Sequence, residues 1–224
     1  MVPVKGSAAA KSRLGELPGS FPGRAELAEA FALDTVAALL ASTSVERVLV
    51  VTADPAAAAP LAALGAQIVP ESPQTALVDA PKAAAAARDA LNAAISAGIR
   101  TAHEGYPLCP VAVFTGDLPA LTTLDVDTTL SSAAEHDRAM VADEEGTGTT
   151  TLLARAGLAV TPQFGPGSRA AHEAAGHYPL DLPATASIRR DVDTVADLAE
   201  VLRRGVGAHT SALIARSELG SAGA

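Results

Sequence analysis

Tryptophan is absent from this chain of 224 residues, and aromatic side chains make up only 3% of it. The core must therefore be filled by alanine, valine and leucine, whose small volumes favour close packing of helices on a sheet. A single cysteine, Cys109, excludes an internal disulfide and any thiolate zinc site. It precedes Pro110 at the edge of an apolar stretch and reads as a packed thiol rather than a nucleophile. No apolar run approaches the ~20 residues needed to cross a bilayer. Lys5, Lys11 and Arg13 interrupt the amino-terminal segment, which leaves no signal-peptide core and makes the cytoplasm the expected compartment. Positive charge is scarce: 16 Lys and Arg stand against 25 Asp and Glu, a net charge of −9. That balance disfavours nucleic acids and anionic membranes as partners. Neither G-x-x-x-x-G-K-[ST] nor G-x-G-x-x-G occurs, so P-loop and dinucleotide fingerprints are both missing.

Short apolar runs alternate with alanine- and leucine-rich stretches, which predicts an α/β fold with a mostly parallel sheet and helices on both faces. Strands are expected at residues 2–4, 45–52, 67–69, 111–115, 139–142, 150–154 and 178–182. Helices are expected at 27–41, 55–64, 82–97, 125–135, 168–175 and 195–204. The first of these has apolar residues on opposite sides, so it should be covered on two faces. Gly98 reads as the end of the third helix, Ser168 as the cap of the fifth, and Thr194 with Asp197 as a capping box. Residues 70–81 carry three prolines and read as a loop. The length fits one domain over 1–208, followed by a tail at 209–224.

Three features converge on chemistry. The run Val111-Ala112-Val113-Phe114 leads into Thr115-Gly116-Asp117, which puts a carboxylate at the carboxyl end of a buried strand, where α/β sheets bind ligands. An Asp that merely ends the strand is the alternative. In Asp191-Val192-Asp193, period-two alternation would turn both carboxylates to one side while Val192 anchors the segment. A helix amino terminus that favours negative charge is the alternative there. Three carboxylates in one pocket repel one another, and a hard cation such as Mg²⁺ normally neutralises such a set and bridges to phosphates. No compensating arginine is counted beside them. Lys5, Lys11 and Arg13 form a small-residue basic loop suited to polyphosphate oxygens, or simply a solvated loop. His172, Glu173 and His177 miss the spacing of a helical zinc site and read as an exposed helix end.

The ordered set Val2-Pro3-Val4-Lys5, Ala10-Lys11-Ser12-Arg13-Leu14, Gly116-Asp117-Leu118-Pro119, Gly146-Thr147-Gly148-Thr149, Phe164-Gly165-Pro166-Gly167-Ser168 and Asp191-Val192-Asp193-Thr194 resembles one family. These are the guanylyltransferases of coenzyme F-420 biosynthesis, which act on 2-phospho-L-lactate or phosphoenolpyruvate. The resemblance implies a nucleotidyltransferase fold of the nucleotide-diphospho-sugar transferase kind. It implies that Asp117, Asp191 and Asp193 are the catalytic metal ligands for Mg²⁺, with Mn²⁺ as the alternative. It further implies that Lys5, Lys11, Arg13 and Asn92 bind the nucleotide, and that Thr149, Gly165 and Ser168 bind the acceptor. The implied partners are GTP and phosphoenolpyruvate, with a homodimer left open. Phosphoenolpyruvate is preferred because the alanine-rich wording looks most like relatives from G+C-rich bacteria. The alternatives are 2-phospho-L-lactate, 3-phosphoglycerate, or a non-catalytic nucleotide-binding regulatory module on the same fold. Two departures stand out: Thr150 follows the GTGT motif where many relatives have Asn, and residues 75–88 look like an alanine-rich insertion.

Overall fold

A computed structural model describes residues 1–4, 14–15, 17, 21–71 and 80–222. Strands β1 (Val2–Pro3), β2 (Leu49–Thr52) and β3 (Gln67–Pro70) pair in parallel, with Val2 opposite Val50 and Val51 opposite Val69. Strands β4 (Val111–Phe114), β5 (Arg138–Ala142), β6 (Thr149–Ala154) and β7 (Tyr178–Pro179) lie in the order β4-β6-β5-β7. The two sets meet where β1 lies beside β4. The Phe114 N–H donates to Met1 O at 3.0 Å, and the Met1 amino group donates to Ala112 O at 2.7 Å.

Three of the five strand pairings are parallel, as expected, while β6 runs antiparallel to both β4 and β5. Strand order thus runs outward from β1 in one direction through β2 and β3, and in the other through β4. Such a reversal opens a crevice at the carboxyl ends of the two central strands, the usual ligand position in α/β sheets.

Helices cover both faces. On one side α1 (Arg24–Ala41), α2 (Pro55–Ala63) and α4 (Thr123–Ala133) pack with Val2, Val50 and Phe114 in one apolar cluster. On the other, α3 (Ala80–Gly105) sets Ile95 and Ile99 against Val51, Val113 and Leu152. A third cluster joins α1 to α6 (Val195–Arg204) and α7 (Ala208–Ala222) through Phe31, Leu198 and Leu213. The two-sided cover expected for α1 is therefore present: Val36 and Leu39 face the sheet side, while Leu27 and Phe31 face α6 and α7. The carboxylate of Asp34, buried in α1, accepts from the amides of His209 and Thr210 at 2.8 and 2.9 Å and so docks the start of α7.

Two sequence expectations are corrected. Gly98 does not end α3, which runs on to Gly105. A Cβ at Gly98 would lie 2.6 Å from Val51 Cγ2 and 3.0 Å from Met1 Cγ. The glycine is a point of closest approach between helix and sheet, not a stop signal. Strand β7 ends at Pro179 instead of reaching residue 182: the Leu180 N–H makes a last bond to Met140 O at 2.9 Å, and the chain then turns, with the Leu182 N–H on Leu180 O at 3.1 Å. Residues 80–88 of the alanine-rich stretch form the first turns of α3.

Gly98→Ala should lower stability by about 1–3 kcal/mol through overpacking, although alanine is the better helix former by ~1 kcal/mol. Urea unfolding midpoints of the two proteins would measure it; an unchanged or raised midpoint would show that Val51 and Met1 give way without cost.

Candidate active site

The segment after β4 is held from several sides. A Cβ at Gly116 would lie 3.0 Å from Pro3 O, so any side chain here would crowd the backbone of β1. The Leu118 N–H donates to the Thr35 hydroxyl of α1 at 3.1 Å, and the Leu118 side chain is fully buried. Pro119 O accepts the Gly207 N–H at 2.8 Å, just before α7 begins. Between these anchors Asp117 O accepts the Val192 N–H at 3.1 Å. That bond lays the segment 191–193 alongside the end of β4.

Val192 is fully buried against α1 and α6, and the residues on either side of it are half-buried. The alternation read from the sequence is realised in space. One carboxylate oxygen each of Asp117, Asp191 and Asp193 lies within 4.8 Å of the other two. Ionised carboxylates at that separation repel by roughly 3 kcal/mol per pair at an effective dielectric near 20. The expected capping box is also present. The Asp197 carboxylate accepts from the Thr194 N–H at 2.7 Å and from the Asp193 N–H at 3.1 Å, which fixes the backbone of a cluster member.

Contrary to expectation, two arginines stand beside the cluster in sequence, Arg189 and Arg190 directly preceding Asp191. Arg190 is 4% exposed and turns away, to Glu144 at 3.2 Å, Glu200 at 3.8 Å and Ala184 O at 3.1 Å. Arg189 donates to Asp143 O at 3.0 Å. The pair therefore ties the segment carrying Asp191 to the loop between β5 and β6. Asp143 in turn accepts from the Thr147 and Gly148 amides at 2.9 and 2.7 Å, shaping the GTGT turn.

That turn lies beside the second glycine loop. The Arg169 N–H donates to Thr147 O at 3.3 Å, and its guanidinium reaches Gly146 O at 3.2 Å. The Ser168 N–H donates to Gly165 O at 3.0 Å. Helix α5 spans Ser168–Ala174 with Gly167 in the capping position, so Ser168 opens the helix rather than capping it as expected. Strand β6 carries one extra residue against β5: Val141 faces Thr151 and Ala142 faces Thr149, with Thr150 between. The bulge puts Thr149 on the face of Ala142 and turns it toward α5. Thr150 O meanwhile accepts the Thr115 N–H at 2.9 Å, which sets Thr149 level with the Gly116–Asp117 turn.

Thr149, Gly165 and Ser168 are thus gathered around the start of α5, and β6 is tied through Thr150 and Thr115 to the turn that carries Asp117. Asn92, expected on the nucleotide, also bonds within the protein. Its carboxamide donates to Phe164 O at 3.1 Å and accepts the Phe164 N–H at 2.8 Å, pinning the FGPGS loop to α3. Lys5, Lys11 and Arg13 lie outside the described residues.

The histidines overturn their expectation. His172 and His177 are 0% and 3% exposed, not an exposed helix end. His172 Nδ1 lies 2.9 Å from the Thr149 hydroxyl, and its Nε2 accepts the Gln163 N–H at 2.9 Å. Phe164 meets the imidazole edge-on at 5.2 Å, and His177 does so at 5.7 Å. Both nitrogens of His172 are spent on protein groups, which leaves no lone pair for a metal. Burial, with His177 nearby, lowers its pKa to about 4. Sequence inspection missed this residue because its partners stand nine and 23 positions away and only the fold unites them. At the opposite end of the sheet, Cys109 donates to Glu46 at 3.4 Å, and that bond raises its thiol pKa, a poor setting for a nucleophile.

A family model described as guanylyl transferase CofC like matches residues 1–219. The phosphoenolpyruvate guanylyltransferase of Streptomyces scabiei (strain 87.22) is 47% identical over 216 residues, covering 96% of this chain and 95% of its own. The protein of the same name from Thermomonospora curvata is 42% identical over 224 residues, covering 100% and 91%. Among solved structures, a protein assigned as a nucleotide-diphospho-sugar transferase from Desulfovibrio desulfuricans G20 superposes with a TM-score of 0.61 at 19% identity, covering 97% of this chain and 94% of that one. A cytidylyltransferase from Leptospira borgpetersenii gives 0.51 at 14% identity, covering 99% and 93%. At these identities the structural likeness speaks to the fold alone, the one the sequence implied.

His172 also makes a stability prediction. Its folded pKa of about 4 lies below the ordinary 6.5, so the stability tied to its neutral form is present above pH 6.5 and is lost as pH falls toward 4. His177, whose pKa burial also lowers, adds to the same trend. Urea midpoints should fall between pH 7 and pH 5 in the parent, and fall less in His172→Asn. Equal slopes would show that the burial of His172 carries no linkage.

Proposed function

The chain belongs to the CofC-like guanylyl transferase family, and on that premise we propose that it transfers a guanylyl group from GTP to phosphoenolpyruvate. An oxygen of the acceptor's phosphate bonds to the α-phosphorus of GTP, the bond from that phosphorus to the β-phosphate's bridging oxygen breaks, and pyrophosphate leaves. The choice of acceptor draws on the names of relatives that are 40–47% identical. The observation that carries the reaction class is the convergence of Asp117, Asp191 and Asp193 at the carboxyl end of β4.

A donor set made only of carboxylate oxygens suits Mg²⁺ or Mn²⁺, and Asp117, Asp191 and Asp193 would hold the ion. A divalent cation there supplies neutralisation of the phosphate charge as it builds up in transfer. The chain's own contribution is placement. Asp117 is fixed by the Val192 amide and the buried Leu118, and Asp193 by Asp197. Thr149, Gly165 and Ser168 bind the acceptor's phosphate and carboxylate. Lys5, Lys11 and Arg13 surround the triphosphate. No general base is required, because a phosphate monoester is already largely ionised at pH 7, its second pKa lying near 6.

Phosphoenolpyruvate and 2-phospho-L-lactate present the same two anions and differ in shape at one carbon, a difference worth only ~1–3 kcal/mol of discrimination. Incubation with GTP, Mg²⁺ and each phosphorylated three-carbon acid, followed by kcat/KM for each, tests the acceptor. The highest value is expected for phosphoenolpyruvate. A clear preference for 2-phospho-L-lactate would reassign the acceptor and leave guanylyl transfer standing.

Asp117→Asn and Asp193→Asn should each cut turnover on the order of a hundred- to a thousandfold. Metal-free thermal stability should hold or rise as repulsion within the cluster falls. Near-normal rates with Mg²⁺ present would remove the metal assignment. Lys11→Ala and Arg13→Ala should raise the KM for GTP while leaving the unliganded melting temperature within about 2 °C of the parent; a fall as large as a core substitution causes would make the loop a structural one.

A further inference from the structure

Thr149 and His172 face each other across β6 and α5, both buried, 2.9 Å apart. Two proton arrangements satisfy such a pair. In one, the threonine hydroxyl donates to a bare imidazole nitrogen, and only oxygen lone pairs remain to face the crevice. In the other, the imidazole donates to the hydroxyl oxygen, and the hydroxyl proton is left to be given elsewhere. The two have opposite consequences for an anion. Lone pairs repel a phosphate or carboxylate oxygen, whereas a hydroxyl proton binds it.

The other edge of the ring decides between them. The Gln163 backbone N–H points at Nε2 at 2.9 Å, so Nε2 must carry the lone pair. A neutral imidazole whose Nε2 accepts has its proton on Nδ1. The Nδ1–H then faces Thr149 Oγ1, and among the described residues that hydroxyl has no second partner. The ring cannot turn over to exchange its edges without losing both bonds, and Phe164 and His177 close on it edge-first. Burial keeps it neutral, since an imidazolium would set an Nε2 proton against the Gln163 amide.

We propose that His172 is a positioning residue which, held as the Nδ1–H tautomer by the Gln163 amide, commits the Thr149 hydroxyl proton to an anionic oxygen of the acceptor. This rests on the placing of the acceptor beside Thr149 under the proposed function, but the chemistry needs only an anionic oxygen, whichever phosphorylated acid supplies it. Its effect falls on the acceptor and not on the nucleotide. The bulge at Thr150, the Asn92 clamp on Phe164 and the Gln163 amide thereby act together, because each fixes a wall of the pocket that holds one proton in place.

The first test needs no turnover. Long-range ¹H–¹⁵N correlation spectra of the parent at pH 7, with His172 assigned by comparison with His172→Asn, should show a protonated Nδ1 and a bare Nε2. A protonated Nε2, in either the neutral or the charged ring, would overturn the proposal whatever the acceptor proves to be. The second test is a cycle of variants assayed with the best acceptor found. Thr149→Val should raise the acceptor KM roughly ten- to a hundredfold, the usual effect of losing a hydrogen bond to a charged group, with the KM for GTP unchanged. His172→Gln keeps an acceptor for the Gln163 amide but loses the donor to Thr149, and should raise the acceptor KM in the same way. His172→Asn, whose amide nitrogen stands in for Nδ1–H, should recover most of the loss. The double variant Thr149→Val with His172→Gln should be no worse than Thr149→Val alone. Multiplying effects, or equal losses toward GTP and acceptor, would make His172 a packing residue only. Absence of turnover with every acid tried would count against guanylyl transfer, while the spectra would still decide the tautomer.

Discussion

One backbone hydrogen bond, from the Val192 N–H to the carbonyl of Asp117, is the constraint on which the crevice depends. It does not involve a side chain, so it does not depend on which residues flank it. It sets the register of an irregular segment against the end of a strand, much as a ladder bond sets the register of a sheet. With the register fixed, alternation does the rest. Val192 goes into the apolar cluster with Phe31 and Leu198, and Asp191 and Asp193 must emerge on the side of Asp117. A slip of one residue would bury two carboxylates and expose a valine, so the apolar anchor enforces the functional arrangement.

The surroundings are organised to hold charge that would otherwise disperse. Three carboxylates within 4.8 Å favour separation, and the fold resists this with bonds to the backbone on either side of each. Thr35, Gly207, Asp197 and the Arg189–Arg190 pair all contribute. None of them needs to touch a substrate. Arg190 illustrates the division of labour: it stands next to Asp191 in sequence, yet its guanidinium serves the loop that carries Glu144. The same loop, through Asp143, shapes the turn leading to Thr149. The two sides of the crevice are thus braced by one short stretch of chain.

How much of this could be read from the sequence follows from the range of the interactions concerned. The period-two pattern around Val192 and the Thr194–Asp197 box are local, and both are present as expected. The strand leading to Asp117 was legible because a short unbroken apolar run marks a strand buried on both faces, wherever in the sequence its partners β1 and β6 lie. Gly98 misled because a glycine in a helix signals either an end or a close contact. Only the position of Val51, brought in by another element, distinguishes the two. His172 misled for the same reason. A histidine followed by a glutamate near a helix end looks solvated until Gln163, Thr149 and Phe164 close around it. Asn92 was singled out through family likeness, and the structure gives it a concrete task in holding Phe164.

The docking of α7 has a consequence for the order in which the molecule can be made. Asp34, in the first helix, receives amides 175 and 176 positions further along the chain, and Pro119 waits for Gly207. Contacts so distant in sequence form slowly and cannot form at all until both partners have left the ribosome. The central strands, the two parallel pairings of the first half and most of the core can assemble during synthesis. The crevice cannot, because Val192 and Gly207 arrive near the end. A growing chain therefore carries a nearly complete scaffold with an unbraced Asp117. The charged cluster is assembled only after the hydrophobic framework that must withstand its repulsion is already in place.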